Sequence, residues 1–251
     1  FFVSIAINVI LLGLVGLGMR DRPLFSGSNS ANAGEVVPYE QPPESQWINS
    51  GGTQDANQLS QDPQLGPRHK WSYDQWVSQL EREADAVASA EPENLNILLG
   101  DSISLWFPLI LFPFGRSWLK HGISGDGCLR EVSDETLIAN QQQIIQTLKE
   151  MHPDATIVLQ TILPHAGDRS TWESKEQLLA ISNERIQQLN QRLKAIADKE
   201  EIEYLDLQSA FRDEEGNLRI DLTTDGLHLN DDGYRVWASA LQMHRHLALD
   251  L

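Results

Sequence analysis

The chain has 251 residues, with 36 acidic side chains against 19 lysines and arginines and a formal net charge of −17 at pH 7. So acidic a surface repels phosphate backbones and anionic lipids, which excludes nucleic acid as a partner and favours neutral or zwitterionic small molecules. Cys128 is the only cysteine, so these residues cannot form an intrachain disulfide, and no His, Cys and carboxylate cluster has the spacing of a metal site.

In chain order, residues Phe1 to Gly18 are almost wholly apolar, broken by Ser4 and Asn8. They approach the roughly 20 residues that cross a bilayer, which predicts a transmembrane or signal-anchor segment over 1–20. Residues 21–70 are rich in Ser, Gly, Asn, Gln and Pro and lack spaced apolar positions, the pattern of a disordered linker. A folded domain over 71–251 follows. Tyr73, Trp76, Val77, Leu80 and Val87 mark an amphipathic helix with Ser72 as its N-cap. The apolar run Leu95 to Leu99 reads as a short buried strand that stops at Gly100-Asp101-Ser102. The stretch Leu105 to Phe114 holds more apolar side chains than one helix face can bury, and the excess beyond the core is a candidate acyl-chain surface or a face resting near the membrane. Leu137, Ile144, Ile145 and Leu148 mark a helix from Ser133 that ends at His152-Pro153, because a residue before proline disfavours helical geometry. Ala155 to Ile162 forms a second apolar strand. Leu178 to Ile196 is expected to form one long helix, Ile202 to Leu207 a final strand, and Tyr234, Trp237 and Leu241 a closing helix. This alternation predicts an α/β domain whose parallel sheet is covered on both faces.

A strand that stops at Gly-Asp-Ser and continues into a helix places a serine hydroxyl at the carboxyl edge of the sheet, where open α/β folds put their chemistry. Serine is a weak nucleophile at neutral pH and needs a base, itself oriented and stabilised by a third group. Asp225 and His228, three positions apart near the far end of the chain, suit those roles with Ser102. His165, just after Leu163-Pro164, is a further candidate for lining the cleft, and the loop from Ala166 to Lys175 is long enough to form its rim.

With these residues in view, the chain from about Trp71 onward resembles the SGNH, or GDSL, hydrolases. The resemblance rests on Gly100-Asp101-Ser102, Gly122-Ile123-Ser124-Gly125-Asp126, Asp134-Glu135-Thr136-Leu137, the run Ile157 to Pro164, and Thr224-Asp225-Gly226-Leu227-His228-Leu229, in that order. It implies a flavodoxin-like three-layer α/β/α domain that cleaves a small ester or thioester through an acyl-enzyme, without metal or organic cofactor. It also implies catalytic Ser102, Asp225 and His228, with an oxyanion hole from the backbone amides of Ser102 and Gly125. Together with the apolar amino end, it suggests a bacterial membrane-tethered enzyme whose catalytic domain is extracytoplasmic.

One departure is large. Where the family has a helix, a central strand and a Gly-x-Asn-Asp turn supplying a third oxyanion donor, this chain has only Gly127 to Val132, and no Gly-x-Asn-Asp occurs anywhere. The expected consequence is a shortened, four-stranded parallel sheet with the strand near Thr156 to Thr161 directly beside the one ending at Leu99; a defect in the gene is the alternative account. Three functions follow from the residues: a serine esterase acting on a carboxylic ester such as a lysophospholipid, a thioester or an acetylated sugar; a catalytically impaired binding protein of the same fold; or an acyltransferase using the same nucleophile.

Overall fold

The computed structural model describes residues 4–7, 48–49, 73–92, 94–113, 116–123, 129 and 132–249. Its centre is a six-stranded sheet in the order β2-β4-β3-β1-β5-β6, where β1 is Ser4–Ile7, β2 Ile48–Asn49, β3 Leu95–Gly100, β4 Ser117–Gly122, β5 Thr156–Gln160 and β6 Glu203–Leu205. Every neighbouring pair is parallel except β2 with β4 at one edge. The helices are α1 (Tyr73–Ala90), α2 (Ser102–Leu105), α3 (Asp134–Met151), α4 (Lys175–Leu179), α5 (Asn183–Glu200), α6 (Gln208–Phe211) and α7 (Asp231–Leu249).

Side-chain alternation along the strands builds the layers. Leu98 of β3 and Val158 of β5 face one cluster with Phe107, Phe211, Tyr234, Trp237 and Leu241. Their neighbours Ile97, Leu99, Ile157 and Leu159 face the other, with Leu137, Ile145, Leu189 and Leu193 from α3 and α5. Continuous apolar strands are what a sheet covered on both faces requires. Helix α3 begins where the Ser133 hydroxyl accepts from Thr136 N, with Asp134 and Glu135 favourably placed in its first turn. Where a single helix was expected from Leu178 to Ile196, two form. Ser182 has extended backbone and its hydroxyl accepts from Arg185 N, which starts α5 afresh. The Arg185 side chain then ties α5 to the segment before α3, donating to Asp134 Oδ1, Leu129 O and Val132 O.

Two expectations about the amino-terminal half are corrected. The sheet is not shortened to four strands, and β3 and β5 are not neighbours: β1 lies between them, with Ile7 opposite Leu99 on one side and Leu159 on the other. Two buried strand edges without partners would leave a row of unsatisfied amides and carbonyls, a cost that native folds avoid. Ser4–Ile7 satisfies both edges. Those residues are therefore extended and not part of a membrane-spanning helix, and among the described residues no helix is long and apolar enough to cross a membrane. The rest of the 1–20 segment lies outside the described residues. Within the expected linker, Ile48–Asn49 pairs with Trp118 and Ser117; the remainder of 21–70 is likewise outside them.

Helix α1 covers the β4 side, burying Trp76 and Leu80 against Leu105 and Ile123. Here the ring of His121, on β4, is buried with Nε2 3.1 Å from Leu80 O. Burial pushes this imidazole down to about 4, the Leu80 carbonyl opposing. Below the unfolded value of about 6.5 the unfolded chain binds a proton that the folded chain refuses, so acid destabilises the fold. The loss begins as pH falls through 6.5 and is complete below 4, amounting to about 3 kcal/mol at 1.36 kcal/mol per pK unit. Urea midpoints measured between pH 7 and pH 4 are expected to fall less steeply in His121→Gln, which keeps a donor for Leu80 O but cannot titrate; identical slopes would remove His121 as the cause.

Candidate active site

The turn after β3 is built by Asp101. Its carboxylate accepts from Ile103 N (2.9 Å) and Ser104 N (3.3 Å), capping α2, of which Ser102 is the first residue. Two β4 residues hold this short helix in place. Gly122 makes room for it, since a Cβ there would lie 2.6 Å from Asp101 O and 2.8 Å from Leu105 N. The buried Lys120 donates from Nζ to Leu105 O (2.8 Å) and Phe107 O (3.0 Å), fixing the chain just beyond it. Burial raises the Asp101 carboxyl above its ordinary range, opposed by the Ser104 and Ile103 amides and by the charge of nearby His228.

Asp225 and His228 share a turn closed by the bridge between Thr223 and Leu229. Asp225 Oδ1 accepts from Leu227 N (2.9 Å) and His228 N (2.8 Å), while Oδ2 lies 2.7 Å from His228 Nδ1. A carboxylate acceptor assigns the ring hydrogen to Nδ1 and leaves Nε2 as the nitrogen for proton transfer. Burial pushes the Asp225 carboxyl up, but the His228 ring together with the His228 and Leu227 amides holds it below the usual carboxylate value. It is therefore charged across the neutral range, as the partner of an imidazole that must accept a proton has to be.

The turn is gripped from behind by the loop after β5. Thr171 N, Trp172 N and Ser170 Oγ all donate to Asp225 O, at 2.8, 3.0 and 2.8 Å, and Ala166 N donates to Gly226 O at 2.8 Å. Gly226 is required here: its φ is +92°, and a Cβ would meet Ser170 Cα at 2.6 Å. His165 anchors this loop instead of lining the cleft as the sequence suggested. It is buried, with Nδ1 accepting from Gly167 N (3.0 Å) and Nε2 donating to Ile181 O (2.6 Å), so both nitrogens serve the backbone.

Aromatic side chains join the two halves. The Trp106 ring lies 4.6 Å from the His228 ring, and the Trp106 amide donates to Ser102 O at 3.0 Å. Trp172 approaches His228 edge-on from the rim loop at 6.3 Å. Tyr234 of α7 donates its hydroxyl to Ile103 O at 3.0 Å. The turn bearing His228 is thus fastened beside α2 at the carboxyl edge of β3. Gly125, expected to provide an oxyanion amide, lies outside the described residues, as do Ser124 and 126–128.

The sequence motifs gave Asp101, Trp106 and Ser170 no individual role. Asp101 is two residues before Ile103 and three before Ser104, the spacing of an N-cap carboxylate, and that signal was available. Trp106 follows Ser102 by one helical turn, but in so apolar a stretch nothing separates it from ordinary core. Ser170 carries no local signal, because its partner is remote in sequence.

An α/β sheet with a capped serine turn at its carboxyl edge and an acid-histidine pair secured beside it is an arrangement that could support acyl transfer through a serine. Residues 119–236, which include Asp225 and His228, match the model of the GDSL-like lipase/acylhydrolase family. Over those residues the chain is similar to the SGNH/GDSL hydrolases. It is similar to the isoamyl acetate-hydrolyzing esterase of Saccharomyces cerevisiae, 30% identical over 109 residues covering 41% of this chain and 44% of the yeast protein. The chain thus aligns with less than half the length of that relative. The fold resembles that of a Streptococcus pneumonia protein described as a candidate platelet activating factor (TM-score 0.59, 23% identity, 66% of this chain and 91% of that one). It also resembles a GDSL-like lipase from Bacteroides thetaiotaomicron VPI-5482 (TM-score 0.57, 18% identity, 68% and 98%).

Proposed function

We propose that the chain is a serine esterase acting on short-chain carboxylic esters through an acyl-enzyme. The observation that carries this reading is the His228 ring, held by Asp225 at 2.7 Å on Nδ1 and packed on the tryptophan whose amide is bonded to Ser102 O. In the proposed reaction Ser102 Oγ attacks the ester carbonyl while His228 Nε2 takes its proton. The imidazolium, stabilised by Asp225, then protonates the departing alkoxide oxygen, and the alcohol leaves. Water repeats the sequence on the acyl-serine: His228 removes its proton, the tetrahedral adduct collapses, and the proton returns to Ser102 as the carboxylic acid departs. The backbone amides of Ser102 and Gly125 are the proposed oxyanion donors.

Substrate chemistry follows from charge and size. A net charge of −17 disfavours anionic esters, and the indole rings of Trp106 and Trp172 beside His228 offer an apolar wall to a small acyl or alkyl group. The name of the yeast relative, an acetate-ester hydrolase, agrees with that choice. A second reading, binding without turnover, is favoured by the lack of a Gly-x-Asn-Asp block, since losing one oxyanion donor typically costs about 10²–10³ in kcat. Incubation with a fluorophosphonate followed by peptide mass mapping separates the two. An adduct on Ser102 is expected of the esterase; an unmodified Ser102 under conditions that hydrolyse no short-chain nitrophenyl ester would leave the binding reading.

A further inference from the structure

The sheet's central position is filled by the segment most remote in sequence from its neighbours. β1 pairs with β3 on one side and β5 on the other, and β3 and β5 make no pairing with each other. The two flanking strands carry the two halves of the candidate site. β3 runs into Asp101 and Ser102, whereas β5 runs into the loop whose Ser170, Thr171 and Trp172 hold Asp225 O. Whatever lies between β3 and β5 therefore fixes how far apart those halves stand.

We propose that Ser4–Ile7 is an intramolecular donor strand: a segment held by backbone pairing on both sides, separable from the domain it completes, that sets the spacing on which proton transfer between Ser102 and His228 depends. Neighbouring strands lie about 4.8 Å apart, so an inserted strand holds β3 and β5 roughly 10 Å from one another. Without it they either close by about 5 Å or stand with buried edges unpaired. A shift of that size exceeds the reach of a nucleophile-base hydrogen bond. The occupant fits its slot in composition, because Ile5, Ala6 and Ile7 supply the apolar run that a strand covered on both faces needs. Along the chain, the described elements that follow β1 are Ile48–Asn49 and then α1, which begins at Tyr73.

The effect on activity rests on the esterase reading above; the holding of the strand does not. The test uses the full chain with a site for a sequence-specific protease placed within 26–34, cut under native conditions without detergent and passed over a sizing column. The amino-terminal fragment is expected to remain with the larger one, and ester hydrolysis to be retained. Ala6→Pro, which stays apolar but removes a ladder N–H, is expected to release the fragment after cutting and to lower hydrolysis about a hundredfold. Amide exchange of Ile5, Ala6 and Ile7 in the uncut chain, expected to be slow, gives a measurement independent of the variant's folding. Release of the fragment from the cut, unsubstituted chain, or exchange of those amides at the rate of an unpaired chain, would overturn the proposal. Retention and protection without ester hydrolysis or fluorophosphonate labelling would leave the donor strand standing and remove the esterase.

Discussion

Ser102→Ala is expected to lower ester hydrolysis by about 10⁵–10⁶ while leaving the melting temperature nearly unchanged. Knocking out the nucleophile in a serine hydrolase removes the whole acyl-enzyme route, and the residue that acts with the others as a unit typically carries about 10⁶ in kcat. What remains, about 10³ over water, comes from binding and oxyanion stabilisation. The fold has little stake in the hydroxyl. The cap of α2 is made by Asp101, the helix is held by Lys120 and Tyr234, and the Ser102 contact that matters to packing is its carbonyl, which accepts from Trp106 N. Steady-state rates on a short-chain nitrophenyl ester, with calorimetry on the same samples, give both numbers. A variant that retains more than a tenth of wild-type turnover would assign the chemistry to another residue.

Asp225→Asn should be nearly as damaging, about 10⁴ in kcat, and for a different reason. An asparagine oxygen can still accept from the Leu227 and His228 amides as Asp225 Oδ1 does, so the turn survives. The side-chain nitrogen then faces His228 Nδ1 and donates to it. That forces the ring hydrogen onto Nε2, the nitrogen that has to accept from Ser102, and also removes the negative charge that stabilises an imidazolium. KM should move little, since Asp225 is turned toward His228 and away from a substrate. A large rise in KM with kcat preserved would mean that Asp225 holds the substrate instead of the base.

The sequence made the layers legible because their signals are local. Apolar runs in β3 and β5, the Ser133 cap and the His152-Pro153 stop of α3, and the three-residue spacing of Asp225 and His228 are each set within a few residues. What stayed hidden depends on partners distant in the chain. An apolar segment such as Phe1 to Gly18 has the same hydrophobicity whether it crosses a lipid layer or fills a sheet, and only the unpaired edges of β3 and β5 decide where Ser4–Ile7 goes. Apolar periodicity runs on from Leu178 to Ile186 through the break at Ser182, whereas α4 ends at Leu179 and the event that starts α5 is the Ser182 hydroxyl accepting from Arg185 N. His165 looked like a cleft residue by position. Its two nitrogens are committed to Gly167 N and Ile181 O, and neither commitment can be read without knowing how the loop folds.

The pair of indoles around His228 gives the protein an optical property of its own. Imidazolium quenches neighbouring indole emission far more strongly than neutral imidazole, and Trp106, with its ring centroid 4.6 Å from that of His228, is within contact range for such quenching. Charge on this one imidazole, or a molecule sliding between the rings, therefore registers in the intrinsic fluorescence, so that occupancy can be followed without a dye and in variants too slow to turn over a chromogenic compound.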